Sequence, residues 1–167
     1  MGRIRDRYMG TRYPDSGVTA IPTTELQSAL LALNGTGVPF SVREAAGSGL
    51  LAEWRILEPA WGSGVSRRQV ERTFKVWMRP LPTERVVRAM DEQWSVTRAG
   101  DPPTLTVGRE RGRGPMRSIH KEWTYKKGPD GRRHKVETFS LDTRDMKNPL
   151  RDAVLESGWT WRGVYKL

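Results

Sequence analysis

Along most of this 167-residue chain, apolar and polar side chains alternate one for one, and a period of two predicts strands. Val38, Phe40 and Val42 point one way while Ser41 and Arg43 point the other, as in a half-buried strand. Trp54 and Ile56 against Glu53 and Arg55 repeat the pattern. Phe74, Val76 and Met78 should face a core, which gathers Lys75, Trp77 and Arg79 on the opposite face. The Pro80-Leu81-Pro82-Thr83 break allows a hairpin return through Val86, Met90, Trp94 and Val96. Ile119, Trp123 and Tyr125 mark a further strand. Gly128-Pro129-Asp130-Gly131 is then a turn, because Pro presets φ and Gly accepts positive φ. The return strand over about 133–141 alternates poorly, as an edge strand does, and Trp159, Trp161 and Tyr165 against Thr160, Arg162 and Lys166 end the chain with an amphipathic strand.

Two segments switch to helical spacing. Leu26, Leu30 and Leu33 follow Pro22, with Thr24 and Gln27 spaced for a capping box and Asn34-Gly35 as the stop. Asn148 as cap and Pro149 at the first helical position predict a second, short helix in which Leu150 and Val154 share a face and Gly158 ends the segment. The predicted fold is α+β: a curled, mostly antiparallel sheet of about six to eight strands, with one helix before it and one short helix before the last strand. Both ends read as helix, glycine, strand without matching residue by residue. Residues 58–69 and 99–116 lack periodicity and read as loops, 1–20 as an arm, and 21–167 as a single domain.

Charge changes this picture more than composition does. The net charge is +10, and all of it falls in two stretches. Residues 1–12 hold four arginines against one acid, and residues 109–135 hold ten basic residues against three acidic ones. Everything else balances at fifteen of each sign. A footprint that local is what a polyanion-binding surface looks like. Its members are Arg3, Arg5 and Arg7 in the arm, Arg109, Arg111, Arg113 and Arg117 in an Arg–Gly loop, and Lys126, Lys127, Arg132 and Arg133 about the turn. Of the seven tryptophans, Trp54, Trp94, Trp123, Trp159 and Trp161 lie on apolar stripes and suit a core. Trp77, between Lys75 and Arg79, and Trp61, in a Gly-rich loop, are the candidate exposed aromatics.

No catalytic, cofactor or metal motif emerges. The chain has no cysteine, and its two histidines, His120 and His134, have no carboxylate at a ligand-like spacing. Asp91 and Glu92 are adjacent carboxylates, but successive strand residues point to opposite faces. No apolar run reaches membrane-span or signal-peptide length, so the expected setting is the cytoplasm and no membrane partner is expected. The residues therefore point to a non-enzymatic protein that binds a polyanion, nucleic acid first, with no cofactor. The alternatives are an assembly subunit docking on an acidic protein, with an oligomer allowed, and a carrier whose apolar pocket is lined by Trp94, Trp123 and Trp161.

Overall fold

A sheet with one apolar face and helices with one apolar stripe bury each other, and here both helices settle on the same face of one sheet. The computed structural model describes residues 10–114 and 119–167, with the backbone alone at 120, 122–124 and 136–138. The order is α1 (Thr23–Ala32), β1 (Ser41–Ala45), β2 (Gly49–Leu57), β3 (Arg68–Leu81), β4 (Val86–Ala99), β5 (Leu105–Arg113), β6 (Ile119–Lys127), β7 (Arg133–Asp142), α2 (Arg144–Glu156) and β8 (Thr160–Gly163). Strands β1 to β5 form an antiparallel meander, and β8 joins β4 in parallel to complete a mostly antiparallel sheet of six strands. β6 and β7 pair with each other as a separate two-stranded ribbon. The fold is α+β, as the alternation predicts.

The core lies between the helices and one face of the sheet. Leu26 and Leu30 from α1, and Met146, Leu150 and Val154 from α2, pack on Val42, Leu50, Ala52, Phe74, Val76, Met78, Val87, Ala89 and Trp161. Burial of each such leucine stabilises the fold by roughly 1.5–3 kcal/mol. Trp159 is fully buried and its indole Nε1 donates to the Ile21 carbonyl at 2.8 Å. Val38 and Trp54 are half-buried against the same core. The second face of the sheet carries the other parity of every strand, including Lys75, Trp77 and Arg79 as expected.

One edge of β4 is shared. β8 pairs with Val86 to Ala89, and β5 with Glu92 to Ala99. Between them the chain leaving β8 donates from Val164 N–H to Ala89 O, and the chain leaving β5 from Gly114 N–H to Asp91 O. Residues 10–20, expected to belong to an arm, run against this region. Arg12 exchanges two backbone hydrogen bonds with Trp161, and Thr11 is buried.

Four local expectations need correction. Residues 105–113, expected within a loop, are strand β5: Arg109, Arg111 and Arg113 alternate with Glu110 and Gly112, a period of two carried by charge instead of hydrophobicity. Helix α2 starts at Arg144, so Asn148 is not its cap and Pro149 lies inside it; the earlier start adds Met146 to the buried stripe. The Thr24 and Gln27 capping box does not form, since α1 begins at Thr23 after Pro22 and Gln27 instead donates to Ser48 O at 3.0 Å. The last strand stops at Gly163, leaving Tyr165 54% exposed over Gly114, where no side chain would fit.

Candidate polyanion interface

The second face of the sheet is built from charges matched across strands. Glu92 on β4 is nearly buried, and its Oε2 accepts from Arg111 Nη2 at 2.9 Å and Arg113 Nε at 3.0 Å. Its Oε1 accepts from the indole Nε1 of Trp94 at 2.6 Å, and the Arg111 guanidinium lies 4.6 Å from the Trp94 ring centroid. One carboxylate therefore holds two arginines and a tryptophan as a unit, the kind of shared network that is stabilising only when every member is satisfied. Glu53 serves Arg55 at 3.1 Å and Lys75 at 3.6 Å, with Lys75 Nζ 5.9 Å from the Trp77 ring. Glu71 serves Arg98 at 3.1 Å. Asp91, next to Glu92, faces the helices and accepts from Lys147 Nζ at 2.6 Å. The two carboxylates thus point to opposite faces, as strand geometry requires, and do not converge as a general acid and base.

The ribbon is different in kind, because it gathers exposed cations about its turn. Register places Tyr125 opposite Lys135 and Lys127 opposite Arg133, so these four share one face; Lys126 opposite His134 occupies the other. Lys126, Lys127, Arg132, Arg133 and Lys135 are all exposed, and Tyr125 is 67% exposed. Asp130 is the single acid from 125 to 135. Its Oδ1 accepts the Arg132 N–H at 3.0 Å and meets His134 Nε2 at 2.9 Å. The hydrogen bond from His134, and then that from the Arg132 amide, hold the Asp130 carboxyl below the usual carboxylate range. This tie on the turn is therefore in place above the ordinary carboxylate pKa and is lost as pH falls through the lowered one. Gly131 takes φ of +74°, and Gly128 N–H bonds Arg132 O at 2.8 Å to close the turn.

The candidate residues thus fall into separate groups. Arg109, Arg111 and Arg113 lie together on the second sheet face, on a paired strand and not on a mobile Arg–Gly loop. Lys126, Lys127, Arg132 and Arg133 stand near the ribbon tip. Arg3, Arg5, Arg7 and Arg117 lie outside the described residues, and Trp123 and His120 are described by backbone alone. Trp61 is 50% exposed, as expected, and exchanges backbone bonds with Arg68. Trp77 is half-buried instead of exposed. Trp94, expected in the core, sits on the second face beneath Arg111, whereas Trp161 is in the core on the other face. These two indoles therefore cannot line one pocket. Tyr125, which the alternation uses only to mark strand β6, is a further exposed aromatic at 67% exposure.

Comparison with known protein families, curated proteins and solved structures finds no match to this chain. Among the described residues, no helix is long and apolar enough to cross a membrane.

Proposed function

We propose that this protein binds a polyanion, nucleic acid in the first instance, and that the β6–β7 ribbon makes the primary contact. The observation that carries the reading is the ribbon's charge. Five exposed cations, Arg132 in the turn and the others on the two paired strands, stand beside an exposed tyrosine, and the acid of the turn itself, Asp130, is tied back into it. A two-stranded ribbon can enter a groove or lie along a phosphate backbone, with Lys and Arg reading phosphate and an aromatic ring free to stack on a base. Arg109 on β5 is exposed and, among the described residues, has no ion pair, so it is a further cation open to a polyanion. The test is fluorescence anisotropy with short labelled single- and double-stranded oligonucleotides at low salt. Arg132→Glu combined with Arg133→Glu should weaken binding by roughly tenfold or more while leaving thermal unfolding unchanged. Unchanged affinity in the double variant would sink the ribbon as the contact.

Docking on another protein is the second reading, and a specific feature favours it. Leu57, Trp61, Val65 and Leu105 are each at least half exposed. Trp61, Val65 and Leu105 come from the end of the sheet where Trp61 bridges Arg68, Arg68 pairs with Ala99, and Ala99 with Leu105, whereas Leu57, opposite Glu71, has the other parity. Exposed apolar patches mark contact sites. Light scattering together with co-purification from the source cell separates this reading from the first, since a lone monomer that binds oligonucleotides counts against it.

A further inference from the structure

On the second sheet face, one cross-strand row has no acid. Arg79 on β3 stands directly opposite Arg88 on β4, and Arg88 directly opposite Arg162 on β8. Opposed like charges destabilise a sheet. Many other cations on this face are held by carboxylates: Arg55 and Lys75 by Glu53, Arg98 by Glu71, Arg111 and Arg113 by Glu92; Arg43 and Arg109 stand singly, whereas this row sets three arginines side by side. Among the described residues Arg79 and Arg162 have no ion pair, and Arg88 has only a backbone acceptor, the Lys166 carbonyl at 2.8 Å. Beside the row lies an open groove of about 330 Å³ lined by Ala45, Gly47, Trp77, Arg79 and Leu167. Trp77 lines this groove, and its indole Nε1 is buried with no hydrogen-bond partner among the described residues. Guanidiniums without a carboxylate thus adjoin an open groove with an aromatic wall, Arg79 belonging to both.

We infer that the Arg79–Arg88–Arg162 row is a binding site for a terminal chain of linked phosphates, with the Trp77 groove taking the body of the ligand. Neighbouring strands lie about 4.8 Å apart, so the row spans roughly 10 Å. A single carboxylate is too short to use it. Guanidinium forks pair bidentately with phosphate oxygens, and three adjacent forks suit two or three linked phosphates. Charge density separates the two sources of such phosphates. A phosphodiester strand carries one charge per phosphate spread along its length, whereas a terminal di- or triphosphate packs more charge into the row. The site shares no residue with the ribbon, so it stands or falls separately from nucleic-acid binding there.

Isothermal titration with sodium tripolyphosphate at low salt tests it. The wild-type protein should bind, Arg79→Gln with Arg162→Gln should weaken binding by roughly tenfold or more, and Arg98→Gln, at the far end of the same face, should leave it unchanged. The Arg132→Glu, Arg133→Glu protein should still bind tripolyphosphate. No binding by the wild type, equal weakening by Arg98→Gln, or displacement of tripolyphosphate by a single-stranded oligonucleotide would each overturn the assignment. Circular dichroism of every variant keeps misfolding apart from loss of the site.

Discussion

Neighbouring residues in a strand can have unrelated fates, and Asp91 and Glu92 show how. Period-two geometry was enough to say that they point apart, but not what each would meet. The partners come from far along the chain: Arg111 and Arg113 from β5, Lys147 from α2. Their cations were visible in the sequence as a basic cluster and as an unremarkable lysine, and only strand register joins them to these acids. Glu92 is the more consequential of the two. Glu92→Gln should destabilise the domain by about 1 kcal/mol, below the roughly 1.5–3 kcal/mol of hydrogen bonds to a charged group, because both arginines remain partly in water. The same change should tighten oligonucleotide binding, because Arg111 and Arg113 would lose their internal counter-charge. Urea unfolding and anisotropy on one preparation check both signs, and weaker binding would mean that Glu92 orients these arginines for the ligand.

At the scale of elements, the strands with apolar alternation were legible and those with charged alternation were not. Phe74, Val76 and Met78 announce β3, whereas β5 alternates Arg with Glu and Gly and is exposed at nearly every position. Its place is set by pairing along β4, a partner that sequence periodicity does not reveal. The start of α2 was missed because Asn148-Pro149 imitates a helix entry. Thr143 precedes the true start, and Asp142 Oδ1 accepts the Arg144 N–H at 3.0 Å. The end of α2 was read correctly. Gly158 has φ of +77°, its N–H bonds Leu155 O at 3.0 Å, and Trp159 N–H bonds Val154 O at 3.1 Å, which is a Schellman cap. A Cβ at Gly158 would meet the Ala20 backbone at 2.6 Å. Gly158→Ala should therefore cost more than about 1 kcal/mol in urea unfolding, through the left-handed backbone and the clash together. A cost near zero would mean that 19–20 moves aside freely.

Across the whole molecule, net charge located the basic stretches but could not say which cations were already spent. Of the residues from 109 to 135, Arg111 and Arg113 are held by Glu92, while the ribbon cations face solvent. Conversely, the Arg79–Arg88–Arg162 row lies in a part of the chain where the two signs balance in number. Balance along a sequence is not balance across a sheet, because neighbours in space come from different strands. The functional reading therefore rests on where the exposed cations stand. The most direct test is the salt dependence of oligonucleotide affinity for the unaltered protein. Engagement of the five ribbon cations predicts a log–log slope of about −3.5 on single strands and about −4.5 on duplex DNA. No binding at low salt, or affinity indifferent to salt, would contradict the ribbon as a polyanion-binding element.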